Sequence, residues 1–402
     1  MKVRKVFDSS PRVKSIEYAI RDVVGVAQQL EKQGKKITYL SIGDPPKYDF
    51  DTPQHIKDAL LEAVKGGQNL YVDSMGIPEL REAIVEKALR NRISLSKDEI
   101  LITSGVSEGI LFILAALIGV TKQDEFLIPG PSYPPWFSYT KFFEGLPIEY
   151  KMDEENNWQP DIDDIRRRIS NNTRGILILS PNNPVGVVYT ERNLLEIIDL
   201  AGEHNLPIVT DEIYEHIIYD RPFISVASLS KDVPVIGLNG FSKAYLMTGW
   251  RLGYIYYHDP EGYLEQIQED IKRMARVRLC APGPTQLAAV EALRGPQDHI
   301  PRMVAKLRER RDYTCKRLND IEGIDCKVPQ GAFYVFPRVE LGERWNNDKE
   351  FVIDFLNKKQ VLFVYGSGFG PKYGSSHFRV VYLAPIPILE EAFDKLEDFM
   401  KE

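Results

Sequence analysis

Apolar positions at Ile16, Ile20, Val23, Val24, Ala27 and Leu30 recur at helical spacing and predict a first helix over residues 15–31. Residues 37–42 then read as a short strand that ends in the turn-forming run Gly43, Asp44, Pro45, Pro46. From residue 52 to 290 strands and helices alternate. Strands are predicted over 99–103, 125–128, 175–179, 207–210, 233–238 and 252–256. Several are unbroken apolar runs, the pattern expected where helices cover both faces of a parallel sheet. Helices are predicted over 78–91, with Pro78 at the first helical position, and over 107–119, 161–169 and 191–203. The succession gives an α/β fold, a mostly parallel central sheet with helices on both faces.

Beyond residue 285 the texture changes. Residues 286–318 are helical and polar, with a break at Gly295 and Pro296. Strands are predicted over 332–336, 361–364 and 378–383, with amphipathic helices over 349–358 and 389–400. This is a smaller α+β domain. The expected division is a large domain over 52–290 and a small domain made of 1–51 and 291–402, which the N-terminal helix joins because it precedes the α/β pattern.

Composition narrows the function. A chain of 402 residues with 43% apolar and 27% charged positions fits a two-domain globular enzyme whose core needs no disulfide or metal. Lys+Arg number 51 against 58 Asp+Glu, and the net charge of -7 argues against a dedicated nucleic-acid partner. Cys280, Cys315 and Cys326 are far apart and form no Cys-x-x-Cys, which points to reduced thiols in the cytoplasm. The basic start over residues 1–5 is followed by no apolar run, so no signal peptide is expected. The longest apolar run, residues 110–120, is about half the roughly 20 residues of a membrane span, so no membrane partner is expected. The histidines include no close pair, so no metal site is expected.

In an open parallel sheet ligands bind beyond the carboxyl ends of the strands. The strand at 99–103 leads into Ser104, Gly105, Val106 and Ser107 and then a helix, an arrangement that offers free backbone N–H groups to an anion, although such turns are common. The strand at 175–179 leads into Ser180, Pro181, Asn182, Asn183, Pro184, where the bland reading is an Asn-stabilised turn. Asp211 follows the strand at 207–210; buried there, a carboxylate needs a partner, and the competing role is a helix cap. Lys243 follows the strand at 233–238 and precedes Arg251. Desolvation beside cations would lower its pKa and make it an amine nucleophile, whereas a lysine in such a loop is ordinarily solvated.

Taken in order along successive strand ends, the small-residue turn, Asn, Asp, Tyr, Lys and Arg resemble the class I aminotransferases, pyridoxal-phosphate enzymes with the fold of aspartate aminotransferase (fold type I). The resemblance covers nearly the whole chain. Its most specific stretch runs from Ser242 and Lys243 through Ala-Tyr-Leu-Met-Thr-Gly-Trp to Arg251-Leu-Gly-Tyr. Pro-Asn-Asn183-Pro-Val-Gly, Asp211-Glu-Ile-Tyr214, Gly130-Pro-Ser-Tyr133-Pro-Pro and Tyr71 with Gly76-Ile-Pro-Glu-Leu-Arg81 add to it. Ile16-Glu-Tyr-Ala-Ile-Arg-Asp, Ile42-Gly-Asp-Pro-Pro, Gln330-Gly-Ala-Phe-Tyr and Val361-Leu-Phe-Val-Tyr-Gly-Ser-Gly look like the alanine aminotransferase branch.

The resemblance implies roles for single residues. Lys243 would hold pyridoxal phosphate covalently and later move the proton at the substrate Cα. Asp211 would pair with the pyridine nitrogen, and Asn183 and Tyr214 would bond the ring oxygen. Tyr133 would stack on the ring. Arg251 with Gly105, Val106 and Ser107 would bind the phosphate. Arg379 would clamp the substrate α-carboxylate, with Gly43 approaching through its backbone. Tyr71 would reach the phosphate of a neighbouring subunit, which implies a homodimer with composite sites. Many relatives carry a phosphate-binding Ser where this chain has Gly240, and Ser242 is the candidate replacement.

The implied reaction is a ping-pong transfer of an amino group between an L-amino acid, alanine by the branch, and 2-oxoglutarate. The alternatives are an aspartate or aromatic aminotransferase and a pyridoxal-phosphate β-lyase. A non-enzymatic regulator domain would need a DNA-binding module for which no segment is spare. Arg276, Arg278 and Lys141 are candidates, by chain position only, to meet a distal carboxylate; a site that takes both a methyl group and a five-carbon diacid calls for a mobile polar group. Two signals are set aside. Gly366, Gly368 and Gly370 fail as a dinucleotide loop because Pro371 follows, and read as a flexible loop near the site. The basic run from Lys306 to Arg311 reads as a solvated helix face.

Overall fold

The computed structural model describes residues 7–121 and 123–402. The basic start, and the expectation drawn from it, lie outside these residues. Eight strands build the central sheet: β1 (Ile100–Thr103), β2 (Glu125–Gly130), β3 (Leu146–Asp153), β4 (Gln159–Pro160), β5 (Thr173–Leu179), β6 (Ile208–Asp211), β7 (Val235–Gly240) and β8 (Gly253–His258). Their spatial order is β1-β8-β7-β6-β5-β2-β3-β4. The run β7-β6-β5-β2-β3 is parallel, while β8 lies antiparallel between β1 and β7, and β4 is antiparallel to β3.

The unbroken apolar runs have a direct cause. Alternate residues of a strand point to opposite faces, and here both faces are covered. Leu101, Phe126, Ile128, Leu177, Leu179, Val209 and Leu238 pack on one side with Ile110 and Ile113 of the helix Val106–Leu117. Ile102, Leu127, Ile176, Ile178, Ile208 and Val235 belong to the layer on the other side, with Leu80 and Ile84 of Pro78–Arg90 and Leu194 and Ile197 of Glu191–Glu203. The apolar run at 110–120 is thus mostly a covering helix, and no described helix is long and apolar enough to cross a membrane.

The remaining elements are smaller. Phe378–Val381 lies between Tyr334–Val335 and Val364–Tyr365 in an antiparallel sheet, and Thr38–Tyr39 pairs with Val361–Leu362. The helices Ala19–Lys32, Asp348–Lys359 and Ile386–Lys401 accompany them.

Some sequence expectations shift. The first helix starts at Ala19 rather than residue 15, because Tyr18 (φ -143°) breaks away, and Pro11–Lys14 forms a separate turn of helix. Helices Gln54–Lys65, Pro134–Phe142 and Glu265–Arg278 and strand β3 were not predicted. Glu265–Arg278 buries only Ile271 and Ala275, and β3 interleaves Pro147, Glu149 and Lys151 with its apolar residues. The basic run is not a uniformly solvated face: Arg310 and Arg311 are buried and paired with Asp49 and Asp220. The stretch Gly366–Phe369 is a turn of 3-10 helix with Phe369 buried, not a loose loop.

Candidate active site

A cavity of about 480 Å3 opens at the carboxyl ends of the parallel strands. Several of these strand ends deliver side chains into it. β5 leads to Asn183, β6 ends on Asp211 with Tyr214 just beyond, and β7 leads to Ser242 and Lys243. Gly43, Tyr334 and Arg379 close it from the smaller set of elements, and Tyr18, Ile20 and Arg21 add a third wall.

One corner is built for an anion. Val106 and Ser107 begin the helix Val106–Leu117, so their N–H groups have no partner within it and the helix dipole is positive there. Gly105 caps that helix at φ +83°, and a Cβ there would strike the Arg251 guanidinium. Arg251 itself is held in left-handed backbone (φ 53°), with Nη1 donating to the Thr248 carbonyl at 3.0 Å and Nη2 to the Ser104 carbonyl at 3.4 Å. It pairs with no carboxylate among the described residues, so its charge is left for a ligand. Ser242 lines the same cavity. Gly240 is wedged against the neighbouring strand, where a Cβ would sit 3.0 Å from Gly253 Cα and from the Leu252 carbonyl.

Lys243 and Asp211 both line the cavity. Lys243 Nζ donates to the Gly43 carbonyl at 2.8 Å and lies over the Phe333 and Tyr214 rings at 5.5 and 5.8 Å. Burial pushes its pKa down to about 8; Asp44 opposes the shift, and Arg379 and Arg251 assist it. Burial also pushes the Asp211 carboxyl up to about 6, against a hydrogen bond from the Ile213 N–H and the charge of Lys243. A carboxylate so placed gains from any cation brought beside it. The Tyr214 hydroxyl meets that of Tyr334 at 2.6 Å.

Arg379 is 1% exposed. Its Nη1 donates to Asn183 Oδ1 at 2.9 Å, its Nη2 donates to the Ser41 carbonyl, and its Nε finds no acceptor among the described residues. Tyr334 and Phe369 flank the guanidinium at 4.5 and 4.7 Å. No carboxylate pairs with it among the described residues. A buried cation without a counter-ion is costly unless an anion arrives.

The aminotransferase class I and II family model matches residues 35–395. The chain belongs to this family. It is 36% identical over 401 residues to the glutamate-pyruvate aminotransferase AlaA of Escherichia coli, covering 98% of each chain. The solved alanine aminotransferase of Pyrococcus furiosus is 52% identical, with a TM-score of 0.95 over 98% of this chain and 100% of that one. A mutant aspartate aminotransferase of Thermus thermophilus is 28% identical, with a TM-score of 0.88 over 98% of this chain and 100% of that one. The fold is that of aspartate aminotransferase, and the protein is a transaminase.

The transaminase cavity gathers Gly43, Val106, Ser107, Tyr133, Asn183, Asp211, Tyr214, Lys243, Arg251 and Arg379, and Gly105 adjoins it through Arg251. Of the paired asparagines, Asn182 serves the turn by accepting from the Val185 N–H at 3.2 Å, which leaves Asn183 for the cavity. Tyr71 is not brought in: it is 82% exposed on the outside of its own chain. Arg276, Arg278 and Lys141 do not line the cavity either, because they turn to Glu269 (3.9 Å), Glu108 (2.9 Å) and Glu17 (3.8 Å). Sequence reasoning missed Tyr18, Arg21, Asp44, Thr248 and Tyr334. Asp44 accepts from the Thr248 hydroxyl at 2.6 Å, a contact between residues far apart in the chain that no local motif announces. It also missed a buried network behind the site, where Lys87 pairs with Glu215 and donates to the Tyr254 hydroxyl at 2.8 Å.

Proposed function

We propose that this transaminase binds pyridoxal phosphate and exchanges the amino group between alanine and 2-oxoglutarate. One observation carries the reading: Arg251 and Arg379 line one cavity with Lys243, and neither is ion-paired among the described residues. The donor set fits the cofactor. Arg251 and the N-terminus of Val106–Leu117 form a cradle for a phosphate, which a Cβ at Gly105 would spoil. Asp211 offers a counter-charge to a protonated ring nitrogen, and Tyr133 offers an aromatic face. When bound, pyridoxal phosphate supplies an aldehyde that accepts the amino group and a ring that withdraws electrons from the substrate Cα.

The residues divide the remaining work. Arg379, steadied by Asn183 and Ser41, orients the α-carboxylate, with Gly43 close through its backbone. Lys243 moves the proton at the substrate Cα, and its depressed pKa leaves a usable neutral fraction near neutrality. Asp211 would keep the ring nitrogen protonated. Tyr214, tied to Tyr334, and Asn183 would hold the ring oxygen. Residues 52–290 would form the cofactor domain, and 1–51 with 291–402 the smaller domain that carries Arg379. Two copies would complete each other's sites through Tyr71, in the reducing cytoplasm that the free thiols Cys280, Cys315 and Cys326 suit.

Alanine is favoured over aspartate, an aromatic donor or β-elimination because of the relatives' own activities. The test is the visible spectrum of the purified enzyme. Its yellow absorbance should bleach with alanine and return with 2-oxoglutarate, without release of ammonia. Ammonia release, or a kcat/KM for aspartate or an aromatic donor leading alanine by more than about tenfold, a gap of roughly 1.4 kcal/mol, would reject the alanine reading.

A further inference from the structure

We propose that Arg21 reads the distal carboxylate of the five-carbon diacid substrates; the proposal rests on the reaction proposed above. Four cations line the cavity, and Lys243, Arg251 and Arg379 already have places in the chemistry. Arg21 has none. Its side chain is exposed at the rim and makes no hydrogen bond or ion pair among the described residues. Asp22, beside it in the first turn of Ala19–Lys32, does not pair with it. Asp44, one of two carboxylates lining the cavity, is engaged by the Thr248 hydroxyl, and the other, Asp211, is buried at the strand end.

The backbone under Arg21 is fixed while its side chain is free. The Tyr18 hydroxyl meets that of Tyr133 at 3.3 Å, and the Ser138 hydroxyl donates to the Glu17 carbonyl at 2.5 Å. Ala19 is buried, against Gly368. The segment therefore spans from the helix Pro134–Phe142 to the elements that carry Arg379. Tyr18 and Ile20 give this wall an apolar surface, and Arg21 is its one cation. A small donor such as alanine needs only the apolar surface. A diacid needs a positive group in addition, and an unpaired guanidinium can move to the carboxylate or stay in water when only a methyl group is bound. The position near the N-terminus of a helix of 14 residues adds to its preference for an anion.

The test measures binding to the holoenzyme by calorimetry, with glutarate as the five-carbon diacid and butyrate as its monoacid counterpart. Arg21→Gln should weaken glutarate roughly ten- to hundredfold and leave butyrate unchanged, the loss expected for a charge-assisted pair. The kcat/KM for glutamate should fall in the same ratio while that for alanine holds, and Arg21→Lys should recover part of the loss. Unchanged glutarate binding, or an equal loss for both acids, would overturn the assignment. If wild-type enzyme failed to use alanine, the proposed reaction would fall, but the glutarate and butyrate affinities would still decide the role of Arg21. If Arg21→Gln did not fold, Arg21→Met would give the same comparison.

Discussion

Replacing Arg379 with lysine tests the site at the point where geometry makes the strongest demand. The guanidinium is buried, sandwiched by Tyr334 and Phe369, and held by Asn183 Oδ1 at 2.9 Å and the Ser41 carbonyl. Its planar fork presents two parallel donors to a carboxylate, which an ammonium cannot do. Losing one charge-assisted hydrogen bond costs about 1.5–3 kcal/mol. At about 1.4 kcal/mol per decade that is a loss of roughly 10- to 150-fold in kcat/KM. Every amino acid and 2-oxo acid substrate carries the α-carboxylate, so alanine, glutamate and pyruvate should lose the same factor. The assay is kcat/KM for each substrate on Arg379→Lys, with a melting curve to show that the fold is intact. A loss confined to one substrate would make Arg379 a side-chain reader, and no loss would remove it from the site.

Three further outcomes are expected. In the cofactor-free protein Lys243 should titrate near pH 8, read by the pH dependence of reductive methylation. Its ordinary value is 10.5, so the fold disfavours the ammonium, and this group's contribution to stability should rise as pH climbs from about 8 to 10.5. Asp44→Asn should move the midpoint below that of the wild type, since Asp44 raises it; an upward move would contradict the assigned cause. Lys87→Met should destabilise the protein by about 3–5 kcal/mol in urea, because it strands the buried Glu215 carboxylate without its cation, and a change under about 1 kcal/mol would mean that Asn239 and Asn91 suffice. Light scattering should find a dimer, and Tyr71→Ala should weaken cofactor retention; a fully active monomer at assay concentration would contradict the composite site.

The parts of the site that lie at strand ends were readable from sequence because local rules place them. A parallel strand covered on both faces is an unbroken apolar run, and the residues beyond its carboxyl end face the cavity, which puts Asp211, Asn183 and Lys243 there; their roles came from the resemblance, because the local reading of each was a cap, a turn or a solvated loop. What could not be read depends on the smaller elements. Arg379 was assigned only by resemblance, since a single arginine in a strand of four residues has no local signature. Arg21 was counted as part of an amphipathic helix, and only the early break at Tyr18 turns that helix's first turn toward the cavity. In the network of Lys87, Glu215 and Asn239, Lys87 and Glu215 lie 128 residues apart, and polar partners of that kind carry no periodic signal.

A short stretch of backbone, residues 41–44, links the two halves of the chemistry. The Ser41 carbonyl accepts from Arg379, the Gly43 carbonyl accepts from Lys243 at 2.8 Å, and the Asp44 carboxylate accepts from the Thr248 hydroxyl at 2.6 Å. Arg379, Lys243 and the loop that supports Arg251 are therefore registered to a single turn. Glycine is needed at 43 because a Cβ would collide with the Tyr334 hydroxyl and press on the Phe333 ring at 2.7 Å. Tyr334 in turn holds Tyr214 and covers Arg379. A displacement of this turn would disturb its contacts with Arg379, Lys243 and Thr248 together. That coupling gives a physical reason for the run Ile42-Gly-Asp-Pro-Pro, whose prolines restrict the chain immediately after Gly43 and Asp44.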